Sequence, residues 1–309
     1  MLSYFLTVIQ QIFAMFLMVL VGYILGKKNM ISEQGTKDMS TLLLKIVTPM
    51  VVISAYQRPF DGELMSTWCI AFAAATMAYV VYIILAELCY RDKANKNIGE
   101  CKLGVVLPNC GFLAFPLLEA LAGEMGIFFG STSVILLNII QWTYGAKLLC
   151  SEQKIKPLSF LVTPGTIAVV CSLILFCSPW KLPAPVYTAV SSIGSLNTPL
   201  AMIVLGTMLS RTNLKECLTK LRYYKIAALR LIVAPLIIML IFKFIPIPEE
   251  VALVTFVGSV VPTATALGML SQLFDKDYRF SANVVVLTTV LSVATMPILL
   301  TIGKIFLGY

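Results

Sequence analysis

The chain has 309 residues, of which 59% are hydrophobic and only 12% are charged. A soluble domain usually carries about 25% charged residues, so this composition excludes an ordinary soluble protein and indicates an integral membrane protein. The net charge of +8 is spread over short segments between apolar runs, which argues against a nucleic-acid partner and leaves the lipid bilayer as the expected one. Histidine is absent and the eight cysteines follow no metal-ligand spacing, so we expect no metal site and no cofactor.

The apolar runs predict ten membrane-spanning helices, because one span requires about 20 mostly apolar residues. The expected fold class is therefore an all-α integral membrane protein. The predicted spans are residues 5–26, 38–56, 66–90, 101–121, 126–149, 160–178, 188–210, 224–245, 250–272 and 281–306.

The charges in the predicted loops indicate how the chain is oriented. Lysine and arginine are concentrated in the odd-numbered loops, as with Arg91 and Lys96 in the third, whereas the even-numbered loops collect acids such as Glu249 and Glu250. Loops rich in Lys and Arg remain on the cytoplasmic side. We therefore expect a multi-pass protein of the cell (cytoplasmic) membrane with both termini on the outer side.

Two halves of the chain, residues 1–150 and 151–309, are interrupted at matching positions. Pro49 in the second span corresponds to Pro199 in the seventh, and PNCGFLAFPLL in the fourth corresponds to GSVVPTATALGMLSQ in the ninth. A repeat of five spans is odd, so the second copy must enter the membrane from the opposite side. Paired, Gly/Pro-interrupted segments in such inverted repeats point to the binding site of a transporter.

The interrupted segments of the fourth and ninth spans have a chemistry that suits an anion. Proline removes a backbone donor and frees a carbonyl, and in hydrocarbon an unsatisfied group costs several kcal/mol. Helix N-termini that meet at such a break offer free N–H groups to a carboxylate. The alternative is a pair of ordinary proline kinks. The candidate substrate-binding residues are Pro108, Asn109, Gly111, Pro116, Pro262, Thr263 and Thr265.

The motif LPN at 107–109, followed by FPLL at 115–118, resembles the crossover of the auxin efflux carrier family. SVVPTATALGML in the ninth span is similar to the second crossover of that family, and LNTPLAMIVLGTML resembles its seventh span. The likeness covers essentially the whole chain, and LPN with FPLL is its most specific part. The chain resembles a compact prokaryotic member, without the long cytoplasmic loop of many plant carriers.

This resemblance implies a fold like that of sodium/proton antiporters and bile-acid transporters, with crossing, broken helices 4 and 9. Helices 1, 2, 6 and 7 would form a scaffold domain, and helices 3–5 and 8–10 a transport domain that moves as an elevator. The substrates would be organic acids such as malate, malonate or auxin, bound at the crossover by residues including Asn109 and Pro262. A homodimer through the scaffold domain is also implied.

Further polar residues inside the spans are candidates for the same site. An amide in lipid needs a partner, so Asn138 and Asn283, in the spans that should flank the crossover, are expected to contribute, and Asn197 would line the scaffold side. Lys45 and Arg230 either extend to the cytoplasmic interface or form a cationic entrance for anions.

Three classes of function were weighed. A secondary carrier for small organic anions fits the paired interruptions best, and a channel or receptor-like protein on the same fold is the alternative. An enzyme is not expected, because the spans contain no paired acids and no histidine. The acid carried, the direction of transport and any coupled ion stay open.

Overall fold

The computed structural model describes residues 2–92, 95–149, 164–212 and 214–308, and in these the chain is helical without a strand. The predicted division at residue 150 and the first residues of the predicted sixth span lie outside the described residues. The α-helices are α1 Leu2–Lys27, α2 Glu33–Leu42, α3 Thr48–Ala55, α4 Gly62–Cys89, α5 Ile98–Val106, α6 Phe115–Ile140, α7 Ala146–Leu149, α8 Pro164–Cys177, α9 Ala184–Gly194, α10 Asn197–Ser210, α11 Leu214–Thr219, α12 Leu221–Ala228, α13 Ala234–Phe244, α14 Glu249–Val260, α15 Ala266–Leu273 and α16 Tyr278–Leu307.

The all-helical membrane character expected from composition is confirmed. Within the described part of the chain, seven helical stretches are long and apolar enough to cross a membrane, and α8 is a shorter apolar helix. The seven are Val8–Lys27, Glu33–Ala55, Gly62–Cys89, Cys110–Leu149, Ala184–Ser210, Leu221–Phe244 and Tyr278–Leu307. The count of ten stays a prediction, because α5 and α14 end at a helix break, α15 begins after one, and Cys110–Leu149 is 40 residues long.

Three helices begin at a side chain that accepts a hydrogen bond from the first turn. The Ser32 hydroxyl accepts from the Gly35 N–H, Asp61 accepts from the Glu63 N–H, and Asp277 accepts from the Phe280 N–H. Such caps satisfy N–H groups for which a helix has no acceptor of its own. They fix the starts of α2, α4 and α16 in the short connections between apolar stretches.

Prolines inside the apolar stretches mostly widen a helix rather than end it. Single π-helical turns at Leu43–Val47, Cys110–Ala114 and Leu229–Val233 directly precede helices with proline at their second position. A proline lacks the N–H and crowds the carbonyl four residues earlier, and a wider turn accommodates both. Pro116 therefore lies in a helix that continues through it.

Gly123 interrupts α6. Its φ of 58° and ψ of −146° are not helical, and a positive φ is a conformation that glycine adopts readily. A Cβ on Gly126 would lie 2.5 Å from the Leu118 carbonyl oxygen, so the chain folds back closely here. The sequence predicted the loop between its fourth and fifth spans at this place.

Helices α1 and α10 approach each other at glycines. A Cβ on Gly206 would lie 2.0 Å from the carbonyl oxygen of Val19, and one on Gly22 would lie 2.2 Å from that of Ile203. Small residues let membrane helices bring their backbones together, which increases their packing contacts. This contact joins the first predicted span to the seventh.

Candidate functional site

Two breaks between consecutive helices meet inside the protein. Helix α5 ends at Val106 and α14 ends at Val260, and the residues after each end pair as an isolated antiparallel bridge between Pro108 and Thr263. The Asn109 N–H donates to the Pro262 carbonyl over 2.9 Å, and the Ala264 N–H donates to the Leu107 carbonyl over 2.8 Å. Four backbone groups that lie outside the helices thus form hydrogen bonds with one another.

Thr263 ties this pairing to the last turn of α5 and to α16. It is fully buried; its hydroxyl donates to the Gly104 carbonyl over 2.6 Å, and its N–H donates to the Thr288 hydroxyl over 3.2 Å. Both hydrogen-bonding groups of Thr263 are therefore engaged within the protein. We refer to residues 107–109 and 261–265 together as the paired breaks.

Asn109 differs from Thr263 because part of its side chain has no partner. Asn109 is 3% exposed, and its Nδ2 is a buried donor for which the described residues offer no hydrogen-bond acceptor. Such a donor costs about 1–3 kcal/mol unless water or a ligand satisfies it. The first helical turn after it contributes the N–H groups of Gly111 and Phe112, which make no backbone hydrogen bond outside the helix.

Open space lies at Gly111, two residues after Asn109 in the chain. A Cβ built on Gly111 would meet no heavy atom within 4 Å, although the residues on either side, Cys110 and Phe112, are buried. Gly111 is in a π-helical turn and does not have a positive φ, so its backbone conformation does not require glycine. The glycine therefore leaves open space in the first helical turn after the break.

Arg230 is buried against the helix ends at the paired breaks. Its side chain is 0% exposed, and its three nitrogens donate to the carbonyls of Val105, Gly258 and Val261 over 3.4, 2.9 and 3.1 Å. These carbonyls belong to the C-terminal ends of α5 and α14, which carry partial negative charge and lack intrahelical donors. The guanidinium also lies 4.6 Å from the centre of the Tyr82 ring.

The charge of Arg230 is not paired with a carboxylate of the described residues. Carbonyl dipoles and an aromatic ring compensate a buried cation only in part. The helices that follow the paired breaks begin there, and a helix N-terminus carries partial positive charge. The electrostatics at this place therefore favour a negatively charged ligand.

The other predicted site residues are held by contacts of their own. The Asn283 amide donates to the Tyr223 hydroxyl and accepts from the Cys217 thiol, while Asn197 accepts from the Thr48 hydroxyl over 3.1 Å. Asn138 is half-buried and accepts from Gln141 over 3.2 Å. The structure does not bring these three amides into hydrogen-bond contact with the paired breaks.

Thr265, Pro116 and Lys45 complete the predicted set. Thr265 precedes α15 and is 9% exposed, so it lies at the paired breaks, whereas Pro116 is buried one turn beyond Gly111. Lys45 is exposed on a π-helical turn. Of the two predicted cationic residues, only Arg230 reaches the breaks.

A cleft of about 110 Å³ between α3, α9 and α6 was considered as an alternative site. It contains the carboxylates of Glu119 and Glu124 and the hydroxyls of Ser191 and Ser195. Two acids repel an anion, so this cleft suits a carboxylate less well than the paired breaks do.

Sequence reasoning missed a polar network around Tyr56. This buried hydroxyl accepts from the indole N–H of Trp68 over 2.6 Å and shares a hydrogen bond of 2.6 Å with Ser131. It joins the end of α3 to α4 and α6. Tyr56 stands in the apolar run VVISAY, and only the tertiary structure brings Trp68 and Ser131 to it.

Comparison with known families agrees with this helical membrane architecture. The family model described as membrane transport protein matches residues 7–300 of the chain. The chain belongs to this family. It is the auxin efflux carrier family that the LPN and FPLL motifs predicted, and the match extends over nearly the whole sequence.

Two archaeal relatives align with this chain over almost its full length. An uncharacterized transporter of Methanocaldococcus jannaschii is 23% identical over 295 residues, which are 91% of this chain and 94% of the relative. An uncharacterized transporter of Methanothermobacter thermautotrophicus is 22% identical over 305 residues, 94% of this chain and 96% of the relative. The chain is thus a multi-pass membrane protein of a transport family.

Proposed function

We propose that this protein is a secondary carrier that moves small organic anions, carboxylates of the malate, malonate or auxin type, across the cytoplasmic membrane. The observation that carries the proposal is the burial of Arg230 at the paired breaks, where no carboxylate of the described residues pairs with it. A permanent buried cation in a membrane transport family favours substrates of opposite charge.

The substrate would bind on the Asn109 side of the breaks. There the Asn109 Nδ2 has no partner, Gly111 leaves open space, and the first helical turn contributes free N–H groups. A carboxylate accepts hydrogen bonds from such donors and has no proton to clash with them. Pro108 and Pro262 would shape the backbone of the site without contributing donors, because proline has no N–H.

The ten-helix, inverted-repeat arrangement is part of the same proposal. The helix–break–helix stretches 98–122 and 249–273 would be corresponding elements of the two halves, one from each repeat. Elevator movement would then carry the paired breaks, together with α4–α7 and α12–α16, past a scaffold that includes the tight contact of α1 with α10. Both termini would face outward, and the scaffold could support a homodimer.

Reconstitution of the purified protein into liposomes tests this function. Vesicles loaded with unlabelled malonate should take up labelled malonate or malate from outside. The uptake should be saturable and should need no net concentration gradient, because a carrier exchanges an internal substrate for an external one. A channel would give flux without such exchange stimulation. Absence of saturable exchange for every carboxylate tried, including apolar ones, would rule out the carrier proposal.

A further inference from the structure

A cavity of about 270 Å³ lies away from the paired breaks, where α4 ends and α5, α12 and α16 begin. The residues that line it are Cys89, Tyr90, Arg91, Asp92, Asn95, Ile98, Cys101, Arg222, Lys225 and Phe280. Neither the proposed transport site nor the contacts described above make use of it. We call it the basic cavity.

Its charge is predominantly positive. Arg91, Arg222 and Lys225 line it against a single lining carboxylate, Asp92. The Lys225 ammonium donates to the Cys89 carbonyl over 2.9 Å, and the Arg222 guanidinium lies 4.7 Å from the centre of the Phe280 ring. These contacts hold two cations at the wall of the cavity while leaving donors available to a ligand.

Tyr90 provides an independent indication of a ligand. The residue is 8% exposed, and its hydroxyl is buried without a hydrogen-bond partner among the described residues. The ring lies 4.6 Å from the Lys225 ammonium. A buried hydroxyl with no partner is uncommon, since leaving it unsatisfied destabilises the folded state.

Exposed apolar side chains lie next to residues that line the basic cavity. Leu88, next to the lining residue Cys89, is 55% exposed, and Leu221, next to Arg222, is 83% exposed. Both leucines belong to stretches long and apolar enough to cross a membrane. A ligand in this cavity would therefore have its charged part among the cations and apolar surface immediately beside it.

We propose that the basic cavity binds the phosphate group of an anionic phospholipid. Basic pockets between membrane helices on the cytoplasmic side suit such head groups, and this loop is one of those that the charge distribution assigns to the cytoplasm. The lipid phosphate accepts from Arg222, Lys225 and the Tyr90 hydroxyl, and its acyl chains lie along the exposed leucines. A free phosphate would use the same donors but would gain nothing from the apolar surface.

The test measures thermal unfolding of the purified full-length protein in a neutral detergent with added lipid. Phosphatidylglycerol should raise the unfolding temperature more than phosphatidylcholine does, and millimolar inorganic phosphate should raise it less than either. Equal shifts with both lipids would overturn the proposal. A shift with inorganic phosphate as large as that with phosphatidylglycerol would assign the cavity to a soluble phosphate and would overturn it as well.

Two double variants test whether phosphatidylglycerol binds in the basic cavity. Arg222→Gln with Lys225→Gln should weaken phosphatidylglycerol binding by roughly 30-fold, at about 1 kcal/mol per cation. The matched control, Lys276→Gln with Arg279→Gln, removes the same charge from exposed residues that do not line the cavity and should leave binding unchanged. Equal losses in the two double variants would show that the binding is unspecific surface attraction.

Tyr90→Phe provides a second test that does not depend on removing a contact from the fold. Because the hydroxyl has no protein partner, the variant should unfold at the same or a higher temperature without lipid. It should nevertheless respond less to phosphatidylglycerol than the wild type. An unchanged lipid response would exclude the tyrosine hydroxyl, and with it the proposed site.

Discussion

The backbone N–H of Asn109 donates to the carbonyl oxygen of Pro262 over 2.9 Å, although 153 residues separate them in the chain. This hydrogen bond and its neighbour from Ala264 to Leu107 resolve the difficulty that two broken helices create inside a membrane protein. The backbone N–H of Asn109 therefore has a partner within the protein, and only the side-chain amide remains available to a ligand.

Asn109→Ala should separate binding from stability. The variant removes a donor that has no partner, so the free energy of unfolding should stay the same or rise by about 1 kcal/mol. Affinity for malonate should fall about tenfold to a hundredfold, the value of a hydrogen bond to a charged group. Titration with malonate, followed by thermal unfolding, measures both. Unchanged affinity would show that this amide is not a ligand.

Asn283→Ala is expected to behave in the opposite way. Asn283 donates to Tyr223 and accepts from Cys217, so its removal leaves buried groups without partners. The free energy of unfolding should fall by about 1–3 kcal/mol. Malonate affinity, measured well below the unfolding temperature, should not change. A loss of affinity here with normal stability would place Asn283 in the site after all.

Arg230→Lys and Arg230→Gln test the buried cation. A lysine has one nitrogen and cannot reach the separate carbonyls of Val105, Gly258 and Val261 together, so both variants should lower the unfolding temperature. Lysine keeps the charge and should retain part of the malonate affinity, whereas glutamine should lose it. The exposed Arg279→Lys is the control for the lysine exchange. Equal malonate affinity in the two Arg230 variants would show that the charge does not attract the substrate.

Substitutions of Gly111 test whether the substrate occupies the open space beside this residue. Gly111→Ala should fold normally, since its Cβ meets no atom within 4 Å and alanine favours a helix. Gly111→Leu should also fold, but its larger side chain would fill the space and reduce saturable malonate exchange in liposomes. Full exchange by the leucine variant would mean that the substrate lies elsewhere.

Substitution of Gly206 by a larger residue should destabilise the protein far more than substitution of Gly111. A Cβ on Gly206 would lie 2.0 Å from the Val19 carbonyl oxygen, and backbone atoms cannot move aside as a flexible side chain can. Gly206→Ala should therefore push α1 and α10 apart and cost a few kcal/mol, seen as a lower unfolding temperature. Gly62→Ala, whose Cβ meets nothing within 4 Å, is the matched control and should be neutral. Equal stability of the two variants would contradict the close helix approach.

Much of the helical layout follows from local sequence. The apolar stretches and the loop near Gly123 fall where composition predicts them. The interruptions at Pro108 and Pro262 also follow from the sequence, because proline acts on its own helix. Pro116 shows the limit of that argument. The same chemistry widened the helix there instead of ending it, and only the packing around a proline decides between these outcomes.

The sequence by itself determined the membrane character, the family and the positions of the breaks, because these depend on composition and on short motifs. Only the tertiary structure decided which buried polar groups find partners. Arg230 reaches Val105 and Val261, and Asn283 reaches Tyr223, across distances in the chain that no local pattern encodes. Asn109 and Asn283 are equivalent as residues in a sequence. They differ because folding gives the Asn283 amide hydrogen-bond partners and leaves the Asn109 Nδ2 without one among the described residues.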